Sequence, residues 1–133
     1  MRQNLVKAMK PLDAVPIENH MRAGTPDVNF IGGWIECKWL KVWPVNADKN
    51  PVRFPHPLTK EQGIWLARRW MRGGTTLVCA QVAREWFFFS GETAKDRFGN
   101  MTRLEMRKEA LLHFPAGLDH ERLLSWLRSI TRG

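Results

Sequence analysis

The sequence predicts an α/β fold in which a central mixed β-sheet is flanked by helices. Three observations carry this expectation. A Gly32-Gly33 pair separates two β-rich runs, a helix with a Thr-x-x-Gln start follows at Thr59, and a second β-rich run begins at Thr75. Strand, helix and strand in that order suggest a crossover connection between neighbours of one sheet. At 133 residues the chain suits one domain able to bury a continuous core without disulfides or a structural metal. The core is expected at about 15–90, with a helical extension at about 102–131.

The elements follow in chain order. Leu5, Val6 and Met9 recur at helical spacing between Arg2 and Lys10, and Pro11 ends that helix. A strand or extended segment is expected from Val15 to His20. The glycine pair then reads as a two-residue type I′ turn, whose central positions both need positive φ. Counting outward, Ile31 faces Trp34, Asn29 faces Glu36 and Asp27 faces Lys38. Val28, Phe30, Ile35, Cys37 and Trp39 project to the opposite, apolar side. Residues 44–58 carry Pro44, Pro51, Pro55 and Pro57 among polar residues and form a long loop of the kind that is often functional. The helix from Thr59 runs to Arg72 and stops at Gly73-Gly74. Thr75 to Val82 is a largely buried strand, and Ala83-Arg84-Glu85 turns it into the aromatic run Trp86 to Phe89. Helices are expected again at about Arg103 to Leu112 and after Asp119, an N-cap flanked by a Leu118–Leu123 staple.

A formal net charge of +8 on so small a domain points to a polyanionic partner. Nucleic acid comes first, because displaced counterions drive its binding, and an anionic membrane surface second. No apolar run approaches the roughly 18 residues of a membrane span, and Met1 to Leu5 lacks the apolar core of a secretion signal. The expected location is therefore the cytoplasm. Two cysteines, Cys37 and Cys79, exclude a zinc knuckle or a disulfide framework and read as small buried hydrophobes. Four consecutive aromatics at 86–89 cannot share one face of a strand, so half of them must meet another element, a subunit or solvent.

The hairpin gathers chemistry on one face. Asp27 and Glu36 offer two carboxylates to a hard divalent ion, Mg²⁺ or Mn²⁺, which takes oxygen ligands. The Cys37 carbonyl offers a third oxygen, with its thiol turned to the core. Lys38 is suited to orient or deprotonate an attacking water, or to offset charge growing on a phosphoryl group. The plain alternative is a cross-strand ion pair on a solvated sheet face. Arg22, Lys41, Arg53, Lys60 and Arg68 are the candidate phosphate contacts.

Pro26-Asp27, eight intervening residues and then Glu36-Cys37-Lys38 resemble the signature of the PD-(D/E)xK nuclease superfamily. Gly24-Thr25, the glycine turn, the Trp39 to Pro44 segment and Gln62 ahead of a Trp-rich helix are similar to phage-type endonucleases related to Holliday junction resolvases and VRR-NUC domains. The resemblance spans roughly 15–90. It implies a restriction-endonuclease-like fold and metal-dependent hydrolysis of DNA, with branched recombination or replication intermediates as substrates and a homodimer as the assembly. It also implies an acidic ligand before the Pro-Asp motif. Such proteins carry that acid on the first helix, which here has none, so Glu18 from an extended segment or Asp13 takes the place. His20 is a phosphate contact or a bystander. Gln62 either caps its helix or helps hold the site. The rival functional class is a non-catalytic DNA-binding or packaging accessory protein, and RNA cleavage is a third reading.

Overall fold

A computed structural model describes residues 1–18 and 24–131; His20 and Arg22 fall outside them. Six strands form one mixed sheet in chain order: β1 (Val15–Pro16), β2 (Val28–Phe30), β3 (Gly33–Leu40), β4 (Thr75–Val82), β5 (Glu85–Ser90) and β6 (Leu112–Phe114). Only β3 and β4 pair in parallel; the other neighbours are antiparallel. The parallel pair requires a crossover, and α2 (Lys60–Met71) supplies it, as the strand, helix and strand order predicts.

Both faces of the sheet are covered. Helices α1 (Arg2–Ala8) and α5 (His120–Ile130) contribute Leu5, Leu123 and Leu127 to one apolar layer with Ile35, Cys79, Trp86 and Phe88. The other layer joins Val78, Ala80, Phe87 and Phe89 to Leu66 of α2, Ala94 of α3 (Gly91–Arg97) and Met106 of α4 (Arg103–Glu109). The aromatic run is thus divided between two helical layers, and all four rings are buried within one chain. No second subunit is needed to cover them.

The hairpin differs from expectation in register. Phe30 pairs with Gly33, Asn29 with Trp34 and Val28 with Ile35, so the turn residues are Ile31 and Gly32. Neither they nor Gly33 adopt positive φ, which rules out the type I′ turn. Gly33 is glycine for another reason: a Cβ there would lie 1.9 Å from the Thr75 carbonyl oxygen, where β3 begins its pairing with β4. The shift is an even number of residues, so every side chain keeps its face.

The C-terminal region is part of the sheet and not purely a helical extension. α4 ends at Glu109, and Leu112–Phe114 pairs with β5 as the last strand. The predicted caps of α2 and α5 are present: Thr59 Oγ1 accepts from the Gln62 N–H, and Asp119 accepts from the Arg122 N–H. Among the described residues no helix is long and apolar enough to cross a membrane.

Candidate functional site

The ladder between β2 and β3 ends at Val28 and Ile35. Beyond it the edge of β3 has lost its backbone partner, and the Asp27 carboxylate takes over: its Oδ2 accepts from the Cys37 N–H at 3.2 Å. Carried one residue past the ladder, the observed register would set Asp27 opposite Glu36, where the sequence count sets it opposite Lys38. The two carboxylates are close enough for the charge of Asp27 to act on Glu36. The preceding chain is held against α2 at Gly24, whose φ is +88° and where a Cβ would lie 2.6 Å from the Glu61 carbonyl oxygen.

Glu36 and Lys38 point to the α2 side of the sheet, and both are buried, at 3 % and 8 % exposure. This excludes the solvated ion pair, because α2 and the loop before it roof the sheet face. Glu36 Oε2 lies 3.2 Å from Lys38 Nζ and accepts from Gln62 Nε2 at 2.9 Å. The other oxygen, Oε1, is buried and has no hydrogen-bond partner. A buried acceptor without a donor is costly, and such groups in folded proteins call for an explanation. Burial, followed by the charge of Asp27, pushes the Glu36 carboxyl up from 4.5 to about 7; attraction and hydrogen bonding to Lys38, and the nearby Asp27 backbone N–H, oppose this and lose.

Lys38 has three ammonium hydrogens, and three acceptors surround Nζ: Glu36 Oε2 at 3.2 Å, and Gln62 Oε1 and the Pro57 carbonyl at 3.4 Å each. The amine is thereby fixed in position. Gln62 performs both of the roles open to it. Its Oε1 accepts from the Thr59 N–H at 2.9 Å, closing the capping box, while its Nε2 binds Glu36. The Pro57 contact was not legible in the sequence, because a backbone carbonyl has no residue signature; the only hint was the proline-rich loop itself.

The remaining expected ligands behave differently. Glu18 is exposed and pairs with Arg2 at 3.0 Å, and Asp13 sits exposed in a left-handed turn after α1. Among the described residues no group of three or more His, Cys, Asp or Glu side chains converges. Cys37 turns its side chain toward the apolar layer opposite Cys79, and burial raises its thiol so that sulfur stays protonated. Lys41, Arg53, Lys60 and Arg68 are all exposed.

The donor set fits a magnesium-like ion. Such ions keep several waters and bind through one or two carboxylates. Asp27 and Glu36 provide two, and the unpartnered Oε1 is an oxygen that a cation would satisfy. The chain matches no family model and no curated protein.

Proposed function

We propose that the chain is a divalent-metal-dependent nuclease of the PD-(D/E)xK kind, with a restriction-endonuclease-like fold, that hydrolyses DNA phosphodiesters. The observation that carries this reading is Glu36: a buried carboxylate, raised to about 7, with one oxygen unpartnered beside a second acid and a fixed amine. Replacing a buried ion pair such as Glu36 and Lys38 together by apolar residues is often neutral or stabilising, so stability alone is a weak reason for the pair to be there. Asp27 and Glu36 are the residues that would hold Mg²⁺ or Mn²⁺, with the Cys37 carbonyl as the further oxygen. The ion, when bound, supplies polarisation of the phosphate and a lower pKa for water.

The protein's own groups do the rest. Water attacks phosphorus, the bond to the leaving deoxyribose oxygen breaks, and that oxygen ends protonated while the water's oxygen stays on phosphorus, the water supplying the proton overall. Negative charge grows on the non-bridging oxygens, and the Lys38 ammonium offsets it. With all its hydrogens engaged, Lys38 suits this role better than that of a base. Gln62 keeps Glu36 and Lys38 in position from the first turn of α2. The preference for branched recombination or replication intermediates rests on the motif resemblance, as do the third acid at Glu18, the homodimer and the cytoplasmic setting.

The test is direct. Purified protein is incubated with four-way, flapped, single-stranded and linear duplex DNA in Mn²⁺ or in EDTA. Metal-dependent cleavage that Glu36→Ala and Lys38→Ala abolish, with folding and DNA binding retained, supports the reading. Binding without turnover would assign the protein to the accessory class, and cleavage of RNA alone would change the substrate.

A further inference from the structure

Helices α2 and α3 leave a groove beside the site. It is made of three hollows of about 400, 300 and 320 Å³. The first two share Ile64 and Lys95, and the second and third share Leu58 and Phe98, so they adjoin in a row. The groove runs from Arg68 and Arg72 near the end of α2, past Lys95 and Lys60, to Arg53 and Pro57. Pro57 joins it to the site, because its carbonyl accepts from Lys38 Nζ.

Two properties single it out. Every charged side chain that lines it is basic, although Glu61, Glu92 and Asp96 lie on the same two helices. Its floor is apolar, with Gly63, Ala67 and Ala94, and Ile64 and Met71 stand 42 % and 71 % exposed along it. At Gly63 the two helices pack closely, a Cβ there lying 3.4 Å from Lys95 Cγ and 3.6 Å from Lys95 Cα, which sets the Lys95 side chain along the groove.

We propose that this groove holds an extended single strand of nucleic acid, and that the substrate of the site carries a single-stranded arm. A basic rim alone would serve a duplex, which presents its phosphates and keeps its base faces stacked inside. An apolar floor edged by cations serves a strand whose base faces are free. Charge complementarity selects the occupant, and the proposal rests on the nuclease reading only for what happens at the Pro57 end.

Binding is measured by fluorescence anisotropy with a labelled oligothymidine in EDTA, over a series of salt concentrations. The competitors are a blunt duplex of equal length, polyglutamate and phosphatidylserine vesicles. We expect oligothymidine to be preferred and each of Arg68→Ala and Lys95→Ala to lower the slope of log K against log salt by about 0.7. The double reversal Arg68→Glu with Lys95→Glu weakens binding more than about tenfold, while circular dichroism and thermal midpoint show the fold retained. Unchanged slopes overturn the proposal, as does equal or tighter binding of duplex, polyglutamate or vesicles. Because no metal is present, failure of cleavage leaves this measurement intact, and cleavage by variants with unaltered binding removes the groove while sparing the nuclease reading.

Discussion

Replacing Glu36 by glutamine isolates the cost of keeping an ionisable carboxyl inside the protein. Burial moves its pKa from 4.5 to about 7. Below about pH 4.5 the group is protonated both folded and unfolded, and carries no penalty. Between 4.5 and 7 the unfolded chain gives up the proton while the native state keeps it, so native stability falls by about 1.4 kcal/mol per pH unit. Above pH 7 the penalty levels off at about 3 kcal/mol. The glutamine cannot ionise and still offers an oxygen to Gln62 Nε2 and Lys38 Nζ. Any packing cost of the amide is independent of pH, and all other titrating groups are common to both proteins. The difference in unfolding free energy, variant minus wild type, should therefore rise by about 3 kcal/mol from pH 4.5 to pH 7, or roughly 10 °C in Tm. Urea and thermal unfolding in EDTA at a series of pH values measure it. Parallel stability curves for the two proteins would refute the buried-acid argument. Adding Mn²⁺ at pH 8 should then raise the Tm of the wild type and not that of Glu36→Gln.

Gln62→Ala removes the capping-box acceptor for Thr59 and the bonds to Glu36 and Lys38 together; a loss of about 1–2 kcal/mol is expected in urea unfolding, and an unchanged midpoint would mean the network contributes nothing. Gly33→Ala drives a methyl into the Thr75 carbonyl and should cost about 3 kcal/mol or more, whereas Gly63→Ala, at ordinary contact distance inside α2, should be neutral or gain up to about 1 kcal/mol. The reverse order of these two midpoints would count against the packing described. Glu85 accepts from Trp43 Nε1 and from both Arg107 Nε and Nη2, and lies 2.8 Å from His113 Nε2. Glu85→Ala should cost about 2 kcal/mol and speed limited proteolysis near Trp43, since it releases one of the loop's anchors; unaltered cleavage rates would show that the bonds of Ala47, Asp48 and Val52 to residues 101–103 suffice to hold it.

What could be read from the sequence was local. The capping box at Thr59 and Gln62, the Asp119 cap and the buried run of β4 are specified by residues within a turn or two of one another. Elements defined by a partner were not legible. Leu112–Phe114 is too short to show periodicity and becomes a strand because β5 offers it an edge. α3 buries little beyond Gly91 and Ala94, so no apolar stripe marks it, although Ser90 does cap it through the Thr93 N–H. The glycine pair announced a turn without saying which residues form it.

The sequence by itself determined on which strand face Glu36 and Lys38 stand, because alternation along β2 and β3 survives any even shift of register. Only the tertiary structure decided the register, in which Phe30 pairs with Gly33 while Gly33 packs against the Thr75 carbonyl at the start of the β3–β4 pairing. The same is true of the character of the site. Burial under α2 leaves Glu36 Oε1 without a donor and raises the acid toward neutrality, and burial is a property of what packs over a residue, which neighbours in the chain do not encode.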